Sequence, residues 1–151
     1  MNAEQRYAPT IRWMLANKDL DQVMAIAKKA GSNWDEDDFY ESCHNNDNVN
    51  LVIEDRGDIF GYAVYRQYKH KVEIIQIATC PVREGYGRDL IELIASRMTK
   101  DRRRIEVHVS EWNLDAQLFF KAMGFRAVRV YEDKHTCTHY VFVRKVEFTK
   151  E

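Results

Sequence analysis

The sequence predicts an α/β or α+β domain in which helices cover a mixed sheet. Two observations carry this. Short runs rich in β-branched residues, with in/out alternation, are interleaved with longer stretches whose apolar residues recur every three or four positions. The chain is also the right size for one core, with 151 residues of which 45% are hydrophobic. A single domain spanning 1–151 is therefore expected, with its core between about residues 10 and 147.

The elements follow in order. After Pro9 a short strand is predicted near Thr10–Leu15. Leu20, Val23, Met24, Ala27 and Ala30 recur at helical spacing, and Gly31 is a natural stop. Asp35, with Asp38 three residues on, predicts the capped start of a second helix ending at the Asn45–Asn48 turn. Leu51–Glu54 and Ile59–Tyr68 read as strands joined by the turn Asp55-Arg56-Gly57-Asp58. A turn at Lys69–Lys71 leads to a strand over Val72–Thr79. Leu90, Ile91, Ile94 and Met98 mark an amphipathic helix opened by Gly85 and Gly87. Ile105, Val107 and Val109 alternate with Glu106, His108 and Ser110, a strand with one buried face. Ala116, Phe119, Phe120 and Met123 mark a further helix closed by Gly124. Strands near Phe125–Tyr131 and Thr138–Val146 complete the order β α α β β β α β α β β.

Composition excludes several functions. Lys plus Arg number 23 against 24 Asp plus Glu, so bulk electrostatics do not favour nucleic acid as a partner. Two Pro and six Gly exclude a collagenous or linker-rich chain. Apolar runs such as Tyr140–Val143 are too short to span a bilayer, so no membrane role is expected. The start Met1-Asn2-Ala3-Glu4 lacks the basic and apolar regions of a signal peptide. Cys43, Cys80 and Cys137 are an odd, scattered set that fits a reducing, cytoplasmic setting. Nothing in the sequence unites Cys43 and His44 with Cys137 and His139, so no metal is expected. Charge is segregated: Gly31–Asp58 carries nine acids against Arg56, a balance of −8, while Ile59–Arg104 carries ten bases against five acids, +5. Two solvated faces explain this, as does a domain with one cationic and one anionic ligand.

The richest stretch is Glu73-Ile-Ile-Gln-Ile-Ala-Thr-Cys-Pro-Val-Arg-Glu-Gly-Tyr-Gly-Arg88. A strand runs into a short glycine loop that opens a helix. Unpaired N–H groups and the positive end of the helix dipole suit a phosphate or pyrophosphate there. The loop is neither a P-loop, lacking Lys-Ser or Lys-Thr after its second glycine, nor a dinucleotide fingerprint, lacking a third.

One strand later stands Asn113-Leu-Asp-Ala-Gln-Leu-Phe-Phe-Lys-Ala-Met-Gly-Phe125. Together the two segments resemble the GNAT superfamily of acetyl-CoA-dependent N-acetyltransferases. Within it they look closest to the ribosomal-protein-alanine acetylating members. Val82–Gly87 is similar to that family's pyrophosphate loop, and Asn113–Phe125 to its second motif. The resemblance implies a mostly antiparallel mixed sheet flanked by about four helices, and acetyl-CoA as co-substrate. It implies that Ile77, Ala78 and Thr79 offer backbone groups to the acetyl and pantetheine arm. Arg83, Glu84, Gly85, Tyr86, Gly87 and Arg88 would wrap the pyrophosphate, and Asn113 would contact the coenzyme. Arg102-Arg103-Arg104, read as a helix end leading into a strand, would lie near the ribose phosphate. Trp34 and the acids after it lie where such proteins shape the acceptor site. The chain departs from the pattern at Val82, where Gln or Arg is usual, and in a loop about two residues short.

Transfer from a thioester to an amine requires that the ammonium lose a proton, that the oxyanion meet donors, and that the thiolate leave. Backbone N–H groups near Ala78 can serve the oxyanion. Two residues compete as base. Glu73 resembles the catalytic glutamate of the histone-acetylating members. His108 lies where the ribosomal-protein acetylating members carry glutamate, and an imidazole's ordinary pKa of about 6.5 suits a base at neutral pH. Phe120 stands at the place of the usual acid tyrosine and cannot donate; either Tyr86, Tyr131, Tyr140 or water substitutes, or the thiolate leaves without a dedicated acid.

Two functions fit. The first is an enzyme moving acetyl from acetyl-CoA to a primary amine: a protein N-terminus, a lysine or a small-molecule amine. The −8 segment favours a cationic acceptor. The second is a non-catalytic acyl-CoA-binding module, favoured by Phe120 and Val82. Either a monomer or a homodimer is compatible with the sequence.

Overall fold

The computed structural model describes residues 8–82 and 85–148. The elements are β1 (Thr10–Trp13), α1 (Ala16–Lys29), α2 (Glu36–Cys43), β2 (Asn48–Asp55), β3 (Asp58–Gln67) and β4 (Lys71–Thr79), then α3 (Tyr86–Ser96), β5 (Arg104–Ser110), α4 (Leu114–Ala122), β6 (Arg126–Glu132) and β7 (Thr138–Lys145). This is the order read from the sequence. A seven-stranded sheet runs β1-β2-β3-β4-β5-β7-β6. Strands β4 and β5 are parallel, whereas β1–β2, β5–β7 and β6–β7 are antiparallel.

The chain forms two compact units: residues up to Tyr65 with Gln76–Leu90, and Arg66–Ile75 with Ile91 onward. The first unit centres on a cluster that includes Leu20, Val23, Ile26, Phe39, Val52, Tyr62 and Val64. Helix α1 turns this apolar stripe inward. Its buried Asp19 binds the Arg12 guanidinium at 2.7 and 2.9 Å and accepts from the Leu15 N–H at 2.8 Å. A carboxylate with that many donors is stable out of water. Helix α2 starts at the predicted cap: Asp35 accepts from the Asp38 N–H and Asp38 from the Asp35 N–H, both at 2.9 Å. Between β2 and β3, Arg56 and Gly57 both have positive φ (55° and 87°). Two consecutive left-handed residues match the twist of a tight hairpin.

Gly61 on β3 faces the end of β4. A Cβ added there would lie 2.8 Å from Thr79 Cγ2, 3.0 Å from the Ala78 carbonyl oxygen and 3.0 Å from Ile53 Cγ2. This close approach explains a glycine inside an otherwise apolar and aromatic stretch of strand.

In the second unit β5 is flanked on both sides, by β4 and β7. Ile105, Val107 and Val109 are buried, as the alternation predicts. The other face departs from that reading. Glu106 is also buried, at 3% exposure, rather than solvated. The register explains its surroundings. Glu73 pairs with Glu106, Val141 with His108, and His139 with both Ser110 and Tyr131. Paired residues share a face and alternate residues return to it, so Glu73, Glu106, His108, Tyr131 and His139 lie on one side of the sheet. Helix α4 is capped by Asn113 and followed by Gly124, and its Phe120 is buried edge-on against Phe125 at 5.2 Å.

Gly61→Ala is expected to force the β4 backbone at Ala78 aside and cost about 1–3 kcal/mol. Chemical denaturation of the two proteins measures this; equal stabilities would show that the strands can part without cost.

Candidate active site

The two sequence-predicted bases stand together. His108 Nε2 lies 3.1 Å from Glu73 Oε1 and 3.4 Å from Glu106 Oε2. Both neighbours are carboxylates, which in their ionised form only accept, so Nε2 is assigned the ring proton. Nδ1 then carries the lone pair, and the Tyr131 hydroxyl lies 2.8 Å from it, placed to donate. The result is one hydrogen-bonded chain from phenol through imidazole to a pair of carboxylates.

Each member is fixed from behind. Lys71 Nζ donates to Glu106 Oε2 at 2.8 Å, and Arg104 approaches Oε1 at 3.8 Å. Burial opposes the Glu106 charge, but the hydrogen bonds from Lys71 and His108 outweigh it and hold the carboxyl below the usual glutamate range. Tyr131 moves the other way. Burial, then the Glu73 carboxylate, raises its phenol above the ordinary value, so it keeps its O–H at neutral pH. Its ring stacks on His139 at 5.2 Å and meets His108 edge-on at 5.5 Å.

Of the three tyrosines weighed as acids, Tyr131 is the one bonded to His108. Tyr86 reaches Asp55 Oδ2 at 3.2 Å and stacks on Phe60 at 5.3 Å. Tyr140 lies edge-on to Phe142 at 6.5 Å. Glu106 and Lys71 escaped the sequence reading. The signal was there in Glu106, an acid inside a β-branched run, but its partner Lys71 stands 35 residues away.

Of the residues that the resemblance assigns to the coenzyme, the first unit holds Ile77, Ala78 and Thr79, half-buried at the end of β4, and Gly85, Tyr86, Gly87 and Arg88. Helix α3 begins at Tyr86, so Gly87 lies in its first turn rather than before it. Gly85 has φ 86°, a conformation that side-chain-bearing residues rarely adopt, and its carbonyl accepts from the Asp89 N–H at 3.0 Å. Arg83 and Glu84 lie outside the described residues. Asn113, in the second unit, caps α4: its Oδ1 accepts from the Ala116 N–H at 3.1 Å.

Other expectations found different settings. Helix α3 stops at Ser96, and Arg102 and Arg103 belong to the turn after it, binding the Tyr68 and Lys100 carbonyls at 2.6 and 2.8 Å. Trp34 packs edge-on against Phe39 at 5.0 Å, and the acids after it supply the α2 cap. Cys43 is half-buried, its thiol pushed up by burial, and His44 binds the Tyr40 carbonyl at 2.8 Å.

A mixed seven-stranded sheet, with a strand entering a glycine-marked helix and an asparagine-capped helix one strand later, defines the class as an acetyltransferase fold. The chain belongs to the GNAT acetyltransferase family, whose model matches residues 19–125. Solved structures share the fold. The ribosomal-protein-S18-alanine N-acetyltransferase of Escherichia coli superposes with TM-score 0.78 at 19% identity, over 95% of this chain and 97% of that one. Ard1 of Thermoplasma volcanium gives 0.82 at 21%, over 94% and 100%. NAA60 of Arabidopsis thaliana, in complex with acetyl-CoA, gives 0.77 at 16%, over 92% and 99%. No helix among the described residues is long and apolar enough to cross a membrane.

Glu106→Gln is expected to cost about 1–3 kcal/mol at neutral pH, because Lys71 loses its charged acceptor in a buried setting. The folded carboxyl titrates below its ordinary value of about 4.3, so its contribution is complete above that pH and fades as pH falls. Denaturation at several pH values should show the two proteins converging in acid; a gap that widens there would contradict the charge assignment.

Proposed function

We propose that this chain transfers the acetyl group of acetyl-CoA to a primary amine by direct attack on the thioester. The observation that carries the reading is the Tyr131–His108–Glu73/Glu106 chain, a proton path built from β4, β5 and β6 of an acetyltransferase fold. An amine arriving as ammonium gives its proton to the Tyr131 oxygen while the tyrosine's own proton moves to His108 Nδ1. Glu73 and Glu106 stabilise the imidazolium from the Nε2 side, as a carboxylate does for histidine in acyl-transfer triads. The free amine then bonds to the carbonyl carbon, the C–S bond breaks, the thiolate recovers a proton along the same path reversed, and the second proton of the acylated nitrogen leaves to water. One path thus serves as base and acid, which answers the phenylalanine at position 120.

Glu73 and His108 act in this proposal as one unit rather than as competing bases. Acetyl-CoA is the donor we propose, held by the β4 end and the Gly85–Arg88 turn of the first unit. The fold neighbour solved with acetyl-CoA supports this choice. For the acceptor we propose a protein N-terminus, a lysine or a small amine. The −8 balance of Gly31–Asp58 supports a cationic one, although Asp35 and Asp38 are already engaged in the α2 cap.

Thiol release and product mass over a panel of amines test the activity. His108→Gln should lower turnover roughly 10²–10⁴-fold and leave acetyl-CoA affinity intact. Glu73→Gln should lose less, because Glu106 still faces Nε2. If both variants keep wild-type turnover, neither handles the proton. Coenzyme binding without thiol release from any amine would favour the acyl-CoA-binding module instead.

Coenzyme binding is tested separately by calorimetry. Among the described residues a Cβ at Gly85 would meet no atom within 4 Å, so the strain of Gly85→Val comes from its φ of 86°. The turn must re-form, and CoA affinity should fall at least tenfold, about 1.4 kcal/mol. Unchanged affinity in a folded variant would remove this turn from the binding site.

A further inference from the structure

Besides the proposed proton path, the second unit holds another set of convergent donors at the turn between β6 and β7. Asp133, Cys137 and His139 each present one ligand atom, all within 4.8 Å of one another. The donors are fixed by backbone structure. Asp133 Oδ1 accepts from the His135 and Cys137 N–H groups at 2.8 and 3.0 Å, and the Asp133 N–H donates to the Cys137 carbonyl at 2.9 Å. The carboxylate thereby divides its work: Oδ1 shapes the turn while Oδ2 faces His139 Nε2 at 2.8 Å. His139 is anchored on β7 between Ser110 and Tyr131 and stacked on the tyrosine ring. Among the described residues the contacts of the Cys137 thiol are long, 3.7 Å to Ser110 Oγ and 3.9 Å to the Thr138 carbonyl. All three residues are half-buried, which leaves the side toward solvent open to a fourth ligand.

We propose that Asp133, Cys137 and His139 form a binding site for a borderline-soft divalent cation, Zn²⁺ being the best fit. Thiolate, imidazole and carboxylate together select zinc over the hard cations Mg²⁺ and Ca²⁺, which prefer all-oxygen shells. Three protein ligands with an open position suit a tetrahedral centre completed by water. The neighbouring trio Glu73, Glu106 and His108 also converges. There, however, Lys71 at 2.8 Å and Arg104 at 3.8 Å already neutralise Glu106, and their positive charges repel a cation. Among the described residues no lysine or arginine bonds Asp133, whose Oδ2 faces His139 Nε2 at 2.8 Å.

Co²⁺ titration of the full chain tests the site, because thiolate coordination gives a ligand-to-metal absorption band. One Co²⁺ per chain should bind with that band, and Zn²⁺ should displace it. Cys137→Ser should abolish the band, and His139→Gln should weaken binding by about tenfold or more. His108→Gln should leave both band and affinity unchanged, with circular dichroism confirming that each variant is folded. Absence of saturable binding, a band that survives Cys137→Ser, or binding lost in His108→Gln would overturn the proposal.

Discussion

The parallel register of β4 on β5 is the constraint on which the site depends. It sets Glu73 beside Glu106 and turns both toward the face that carries His108. Two carboxylates so close would repel, and one of them is buried. The arrangement holds because Lys71, on β4, delivers a cation directly to Glu106. Lys71 itself pairs with Arg104 at the start of the same register. A slip of one residue would send Glu73 to the opposite face and separate it from His108.

That arrangement also assigns roles. With two acceptors at Nε2, the imidazole presents its lone pair to Tyr131, which is why the proposed proton path runs through the phenol. Tyr131 is brought there by β6, which lies beyond β7 from β5. The tyrosine reaches across β7, stacked on His139, and its position is therefore fixed by two strand pairings rather than by a flexible loop.

Local chemistry was legible in the sequence. Asp35 and Asp38 marked the α2 cap, Arg56-Gly57 the hairpin, and the spacing of Leu90, Ile91 and Ile94 the helix after the glycine turn. The family was legible as well, because its two motifs are contiguous stretches. What could not be read was the pairing of distant residues. Glu106 looked like an outward residue on an alternating strand, and only the flanking of β5 by β4 and β7 buries it. Glu73 and His108 looked like rivals because nothing along the chain reveals that they touch. Tyr131 was one of three candidate tyrosines, 23 residues from His108, until the strand order singled it out. Cys137 and His139 were noticed, but Asp133 was not read with them. Asp133, in the same turn, converges with them.

The central claim is that tyrosine, histidine and carboxylates act as a single proton path. A double-mutant cycle on turnover, with Tyr131→Phe, His108→Gln and the pair combined, tests it most directly. Residues that act as a unit are strongly non-additive. The account predicts that the double variant is scarcely slower than the worse single variant, with acetyl-CoA affinity unchanged throughout. Effects that simply multiply would mean that the two residues contribute independently, and would contradict the path.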